Sequence, residues 1–357
     1  MSGPTGHGRL RAGLSPALRG APRDARGAVA LPTANVAALV PGTDPALRGQ
    51  VVVVGAHFDH LGRSPRGALD PAAGDAIRNG ADDNASGTAA VLELARRFRI
   101  QPARRTVLVA NFSAEELGLL GSQWMVEHPP VPLDSVQAMV NFDMVGRLRD
   151  DRLVVYGTST ARELPALLDS ANGQALVLAK VGDGFGPSDH SSFFAQGIPV
   201  LHFFTDLHGD YHRATDDADR IAYAGLRRVV DYAEEVARRL ANHPRRLAVV
   251  RDSVRPTATA TTRSGGSRVY LGSIPDMAAP DGVKGLRLTG ITPGSPADKA
   301  GLQAGDVVVE FGGIPVTDLY TYTDALRSHA PGDIVTVVVM RGGERKAFSV
   351  TLGRRER

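Results

Sequence analysis

The sequence predicts an α/β protein with a mainly parallel, mixed sheet flanked by helices on both faces, followed by a small β-rich domain. Three observations predict it. Short apolar runs alternate with amphipathic stretches over residues 34–243, and this repetition is typical of a parallel sheet covered on both faces. Residues 252–267 are rich in Thr, Ser and Gly, which indicates a linker. Short alternating strands and Gly-rich turns follow the linker.

The elements of the main domain follow from hydrophobic periodicity. Apolar and β-branched runs of strand length predict buried strands at residues 51–55, 106–112, 136–142 and 198–204. Apolar residues at helical spacing predict helices at residues 87–97, 116–126 and 217–240, the last with Thr215 or Asp216 as its N-cap. After the linker, a strand is predicted at residues 333–340 and a small helix near residues 321–328.

Length sets the domain organisation. A chain of 357 residues exceeds one average domain of roughly 150 residues. We expect an N-terminal extension with little order over residues 1–33, a main domain over 34–251, the linker over 252–267 and a second domain over 268–353.

Composition excludes several classes of function. A net charge of +3 predicts no nucleic-acid partner, and apolar runs stay well short of the ~20 residues of a membrane span. Because the chain has no cysteine, disulfides, thiolate metal sites and a Cys nucleophile are excluded. The first 26 residues lack an apolar core, so no signal peptide is predicted in them.

Polar side chains follow the first buried run. His57 and Asp59 come directly after it, and period-two geometry places them on one side. A carboxylate there can accept the imidazole N–H and fix the tautomer that a metal-binding His requires. The same alternation predicts that His60 points away from them. A polar loop remains the alternative for this motif alone.

Two pairs of adjacent acidic residues lie at the starts of predicted helices. Asp82 and Asp83 precede the predicted helix at residue 87, and Glu115 and Glu116 follow the run at 106–112. Helix capping and helix-dipole complementarity explain such acids individually. The His57 motif and the two acidic pairs make three such positions. Asp143 and His212, which also come after predicted strands, are the fourth and the fifth. Since ligand sites form at the carboxyl ends of parallel strands, the convergence indicates a site of oxygen and imidazole ligands, which suits a catalytic zinc pair.

Other conspicuous residues are predicted to have structural roles. His202 is expected to be a hydrogen-bonded strand residue, and Trp124 is expected in the core. Asp189 and His190 are expected to support the site without ligating.

These motifs resemble the co-catalytic di-zinc exopeptidases: peptidase family M28, the leucyl-type aminopeptidases with glutamate carboxypeptidase and glutaminyl cyclase as relatives. The resemblance covers about residues 34–243. It is carried by motifs that occur in the family's order, namely GAHFDHLG at 55–62, GADDNASG at 80–87, SAEELG at 113–118, NFDMVG at 141–146, SDHSSF at 188–193 and Tyr211–His212.

The resemblance implies a role for each matched residue. His57 and Asp143 would hold one Zn²⁺, Glu116 and His212 the other, and Asp83 would bridge the two ions. Glu115 would be the general base, Asp59 would orient His57, and Tyr211 would help to hold the oxyanion. It also implies a cis peptide bond between Asp83 and Asn84. Relatives of this family are usually secreted or periplasmic.

Residues 268–353 resemble a PDZ domain of the type associated with bacterial proteases. The resemblance lies in the run VYLGSI at 269–274 and in the Gly- and Pro-rich stretch 290–316. It implies that the loop at 270–273 binds a peptide C-terminal carboxylate while the peptide adds as a strand to the sheet edge. Packing on the peptidase and closing its cleft is the alternative.

The sequence therefore predicts a zinc aminopeptidase that acts on peptides, with a PDZ domain for tethering or gating. Two alternatives stay open. The same scaffold also supports glutaminyl cyclase or carboxypeptidase chemistry, and some relatives are non-catalytic peptide-binding scaffolds.

Overall fold

The computed structural model describes residues 33–64, 67–182, 184–250, 269–275, 285–292, 294–316, 321–322, 325–326 and 328–354. The N-terminal extension up to residue 32 and the linker expected at 252–267 lie outside these residues. The described residues divide into two compact units. The first comprises those within 1–62, 79–206 and 216–255, and the second those within 63–78, 207–215 and 256–357.

A seven-stranded mixed sheet forms the centre of the first unit. Its strands are β1 (Val36–Val40), β2 (Val51–His57), β3 (Thr106–Phe112), β4 (Val136–Phe142), β5 (Arg152–Tyr156), β6 (Val177–Lys180) and β7 (Val200–Phe204), in the spatial order β1-β3-β2-β4-β7-β5-β6. The pairings β2–β3, β2–β4, β4–β7 and β5–β6 are parallel, whereas β1–β3 and β5–β7 are antiparallel. The mainly parallel sheet predicted from the sequence is confirmed.

The helices of this unit are α1 (Gly87–Ile100), α2 (Leu120–Glu127), α3 (Leu164–Ala171), α4 (His190–Phe194) and α5 (Tyr223–Asn242). Two apolar clusters hold them to the sheet. One joins α1, α3 and α5 to the sheet, and the other joins α2 and α4 to it. Strand β2 is buried along its whole length, as expected for a central strand covered on both sides.

Helix α5 begins later than the sequence predicts. It starts at Tyr223 rather than at residue 217, and neither Thr215 nor Asp216 is its N-cap. Asp216 is fully buried, and its carboxylate instead accepts the backbone N–H groups of Asp82 and Asp83. A side chain whose oxygens are already bonded elsewhere cannot cap the helix, which explains the difference.

The predicted core position of Trp124 is also wrong. The residue lies on α2, 44% of its surface is exposed, and its ring stacks on His128 with centroids 4.6 Å apart. On a short amphipathic helix, one face stays in solvent, and Trp124 is on that face.

The second unit contains a β-rich module. Its strands are β8 (Val269–Tyr270), β9 (Ser273–Pro275), β10 (Leu286–Ile291), β11 (Val307–Phe311), β12 (Ile314–Pro315), β13 (Ile334–Arg341), β14 (Glu344–Thr351) and β15 (Gly353–Arg354), with helix α6 (Pro296–Ala300). The main sheet has the order β14-β13-β11-β10-β9, so β9 ends the row of described strands. Thr321, Tyr322, Ala325 and Leu326 are helical.

Two further segments of this unit, 63–78 and 207–215, are joined through Asp70. Its carboxylate accepts Nε of the fully buried Arg78 at 2.7 Å and the backbone N–H of Ala214 at 2.7 Å. The backbone N–H of Leu69 also donates to the carbonyl of His212 at 3.0 Å. Among all described helices, none combines the length and the hydropathy needed to cross a membrane.

Candidate active site

The polar side chains of the site follow three neighbouring strands. Strand β2 ends at His57, Glu115 and Glu116 follow β3, and Asp143 follows β4. Both β3 and β4 pair with β2 in parallel. The three carboxyl ends therefore meet at one edge of the sheet, where open α/β folds place their ligands.

A first group of possible metal ligands consists of His57, Asp83 and Asp143. Nε2 of His57 lies 3.3 Å from Oδ1 of Asp83 and 3.3 Å from Oδ1 of Asp143. The His57 ring is buried, and its Nδ1 contacts the backbone carbonyl of Asp59 at 3.0 Å. Such a bond places the proton on Nδ1 and turns the lone pair of Nε2 towards the two carboxylates.

A second group consists of His60, Asp83 and Glu116. Nδ1 of His60 lies 2.8 Å from Oε1 of Glu116 and 3.8 Å from Oδ2 of Asp83. Asp83 is thus common to both groups. Its Oδ1 faces the first group, and its Oδ2 faces the second.

Hydrogen bonds fix the turn that carries Asp83. Oδ2 of Asp216 accepts the N–H groups of Asp82 and Asp83 at 2.9 and 3.1 Å, and Oδ1 of Asp82 accepts the N–H of Gly146 at 2.6 Å. Asn84 donates from Nδ2 to the carbonyl of Phe142 at 2.9 Å. The peptide bond between Asp83 and Asn84 is cis, as the resemblance implies. Of the two adjacent aspartates, Asp82 therefore bonds to the backbone, whereas Asp83 faces the histidines.

The carboxylate of Asp59 does not make the contact expected from the sequence. It lies 3.8 Å from Nδ1 of His57, and the backbone carbonyl of Asp59 is the closer acceptor. The carboxylate instead accepts the N–H of Glu115 at 3.1 Å and that of Glu116 at 3.3 Å. The strand ends at His57, so residue 59 no longer follows strand alternation. Asp59 therefore fixes His57 through its backbone and the glutamate turn through its side chain.

The prediction that His60 points away from the site is wrong for the same reason. Alternation holds only within a strand, and β2 ends three residues before His60. The chain turns there and brings the His60 ring to Glu116. Gly80 allows this close approach, because a Cβ at that position would lie 2.4 Å from the His60 ring and its φ of +62° favours glycine.

The site is strongly acidic, and its buried charged groups shift the pKa values of their neighbours. Burial alone would lower the pKa of His57, but the charges of Asp143 and Glu115 raise it well above its usual value. Burial raises the pKa of the Glu115 carboxyl well above its usual value; His57 opposes this rise and Glu116 adds to it. So many carboxylates in one buried place require compensating positive charge.

His212 and Tyr211 lie in the second unit. Among the described residues, neither group of possible ligands includes His212. Its ring stacks on that of Tyr211 with centroids 3.9 Å apart, and its Nδ1 contacts the backbone carbonyl of Gly67 at 2.9 Å. This contact matches the one that Nδ1 of His57 makes with Asp59.

A cluster of buried polar side chains surrounds His202 on β7. His202 is a buried residue of β7 and contacts Nδ2 of Asn141 through Nδ1 at 3.2 Å, so its predicted role as a hydrogen-bonded strand residue is confirmed. Burial lowers the pKa of His202 to about 4. The ring of His190 stacks on it at 4.4 Å. Asp189 precedes α4, is fully buried, and has its pKa raised to about 7 by burial.

Comparisons with known proteins agree with this geometry. The model of peptidase family M28 matches residues 35–237, and the model of the PDZ domain matches residues 267–352. The chain is 29% identical over 194 residues to "Aminopeptidase YwaD" of Bacillus subtilis, covering 51% of the chain and 39% of that protein. It is 30% identical over 223 residues to "Leucine aminopeptidase 1" of Trichophyton rubrum, covering 56% of the chain and 55% of that protein. In both cases the chain spans less than two thirds of the relative.

The fold also has solved counterparts. A leucine aminopeptidase precursor from Bacteroides thetaiotaomicron superimposes with a TM-score of 0.50 at 19% identity, over 60% of this chain and 78% of that one. At this identity the likeness concerns the fold alone. The family model spans more than half of the sequence and contains all six motifs that carry the resemblance. The chain therefore belongs to peptidase family M28.

Proposed function

We propose that this protein is a zinc-dependent aminopeptidase that removes N-terminal residues from peptides. One observation carries the proposal: Asp83 presents one carboxylate oxygen to His57 and Asp143 and the other to His60 and Glu116. A carboxylate shared by two ligand groups is the arrangement that a pair of catalytic ions needs. The names of the matched relatives, an aminopeptidase and a leucine aminopeptidase, support the reaction type.

The chemistry of the donor set fits zinc. The residues offer imidazole nitrogens and carboxylate oxygens, and the chain has no cysteine. Such nitrogen and oxygen donors are typical of catalytic zinc, whereas structural zinc in proteins commonly has thiolate ligands. The excess of buried carboxylates also favours divalent cations.

We assign His57 and Asp143 to one ion, Glu116 and His212 to the other, and Asp83 to both. Support for the two histidines comes from their Nδ1 contacts. Each Nδ1 lies within 3.0 Å of a backbone carbonyl, that of Asp59 or of Gly67. A zinc-ligating histidine usually donates its second N–H in this way.

Glu115 is the proposed general base. When bound, the two ions would act as Lewis acids and lower the pKa of the attacking water. Glu115 takes the proton of this water and passes it to the leaving amine. Burial raises the pKa of the Glu115 carboxyl above its usual value, which makes its carboxylate a stronger base for this transfer. Asp59 holds the backbone of Glu115 and Glu116, and Tyr211 is the proposed donor to the developing oxyanion.

Substrates with a free N-terminus test this proposal. Peptides and chromogenic amides that begin with Leu should be hydrolysed from the N-terminus, whereas their N-acetylated counterparts should not. Release of C-terminal residues from the acetylated peptides would instead indicate a carboxypeptidase, and cyclisation of N-terminal Gln would indicate a cyclase.

The two imidazoles considered for the ion held by Glu116, those of His60 and His212, have different expected roles. We expect His212→Gln to lose one zinc per chain. His60→Gln should keep both ions at about 10- to 100-fold lower affinity, because His60 hydrogen-bonds to a ligand rather than to an ion. Elemental analysis after gel filtration measures zinc per chain, and chelator competition measures affinity, with His243→Gln as the control. If His60→Gln bound one zinc per chain and His212→Gln bound two, then His60 rather than His212 would be the ligand, and our assignment would be contradicted.

For the C-terminal module we propose peptide binding that tethers substrates. The support is that β9, which begins within the loop at 270–273, ends the row of described strands. Within the part of the chain that the structure describes, β9 has a strand on one side only, and the edge of a sheet is where a peptide adds as a strand. Fluorescence anisotropy should show binding of peptides with a free C-terminal carboxylate and much weaker binding of the amidated forms. Equal binding of both forms would contradict carboxylate recognition.

A further inference from the structure

An exposed apolar strip begins beside the candidate active site. Its members are Phe58, Leu117, Leu120 and Trp124, with exposed fractions of 44%, 57%, 39% and 44%. Phe58 stands between His57 and Asp59, and Leu117 follows Glu116 directly. Leu92 and Ile100 are also exposed, but they lie elsewhere on this unit, on α1.

Backbone hydrogen bonds connect the segments that carry the strip. Asp59 bonds to the backbone of Glu115 and Glu116, which ties the loop of Phe58 to the turn of Leu117. The start of α2 is bonded to the same turn, because the backbone N–H of Leu120 donates to the carbonyl of Ala114 at 3.1 Å. Trp124 lies one helical turn further along α2, on the same side as Leu120. Its far end is held in place, because Trp124 stacks on His128. Large apolar side chains exposed together on ordered segments beside a site are a feature of interaction surfaces.

We propose that this strip binds the part of a peptide substrate that follows the scissile bond and favours apolar side chains there. The inference rests on the proposed function. Glu115 delivers its proton to the leaving amine, so the departing chain begins beside the Glu115–Glu116 turn, where the strip also begins. At 1.5 Å rise per helical residue, Leu120 and Trp124 lie about 6 Å apart along α2, which matches roughly two residues of an extended peptide.

A matched pair of peptides tests the proposal. Leu-Gly-Phe-Leu-Gly and Leu-Gly-Ser-Ser-Gly share the first bond and differ only in the second and third residues beyond it. We expect the wild-type enzyme to prefer the first peptide. Trp124→Ala should lower kcat/KM for that peptide about tenfold through KM, because a lost binding contact acts equally on ground and transition states. The polar peptide and a chromogenic Leu amide should change by less than about twofold.

Controls separate this effect from damage to the fold. Leu120→Ser, also on the strip, should shift the ratio in the same direction, whereas Leu92→Ala should leave it unchanged. The melting temperature of each variant is measured alongside.

Three other outcomes are decisive. An apolar-to-polar ratio that stays the same in Trp124→Ala and Leu120→Ser, with the Leu amide still cleaved, overturns the strip proposal and leaves the aminopeptidase intact. A change from dimer to monomer in these variants without a change in ratio assigns the strip to a second copy and also overturns the proposal. No cleavage of the Leu amide by zinc-loaded wild-type protein contradicts the proposed function itself.

Discussion

Replacing Glu115 by Gln is expected to lower kcat by about 10²- to 10⁴-fold, the usual contribution of a general acid–base group. Gln has nearly the same shape but cannot take up the proton of the attacking water. Glu115 belongs to neither group of possible ligands among the described residues, so zinc content should stay at the wild-type value. Steady-state kinetics on a chromogenic Leu amide and elemental analysis of the same sample measure both quantities.

Glu127→Gln provides the matched control for Glu115→Gln. Glu127 ends α2, is exposed, and lies outside the site, so its replacement should leave kcat and zinc content unchanged. Near-normal turnover in Glu115→Gln would contradict its role as the base. Loss of zinc in that variant would move Glu115 among the ligands.

Replacing Asp83 by Asn is expected to remove zinc and reduce hydrolysis to background. Asp83 presents both carboxylate oxygens to ligand groups. An amide has only one oxygen and no charge, and its NH₂ group repels a cation. Zinc per chain should therefore fall from two to one or none in elemental analysis.

The neighbouring Asp82 makes a sharp control. Its Oδ1 accepts the N–H of Gly146, and an Asn oxygen can still accept this bond. Asp82→Asn should therefore retain zinc and lose about 1 to 3 kcal/mol of stability, because a buried hydrogen bond to a charged oxygen becomes one to a neutral oxygen. Two ions in Asp83→Asn, or loss of zinc in Asp82→Asn instead, would contradict the assignment of the bridging carboxylate.

Much of the fold follows from local sequence patterns. The central strands β2, β3, β4 and β7 are buried on both faces, and such strands appear as unbroken apolar runs. The outer strands β1, β5 and β6 were not predicted, because their short runs are only partly buried or carry charged ends. The start of α5 was predicted wrongly, because tertiary hydrogen bonds to Asp82 and Asp83 engage Asp216.

Part of the candidate site could likewise be predicted from the sequence, and part of it could not. The resemblance implies five ligands: His57, Asp83, Glu116, Asp143 and His212. The first four lie in the two groups described above, whereas among the described residues neither group includes His212. The position of His60 was not predictable by alternation, since it depends on where β2 ends. Nor could the sequence indicate that the side chain of Asp59 contacts backbone N–H groups, because this contact depends on the packing of the glutamate turn.

Zinc quantification combined with hydrolysis of an N-terminal Leu reporter, before and after chelation, tests the central claim most directly. We expect two zinc ions per chain, hydrolysis that a chelator abolishes, and recovery of activity when zinc is returned. A chain that binds no zinc, or one that binds two ions and still leaves free N-terminal substrates uncut, would contradict the proposed aminopeptidase.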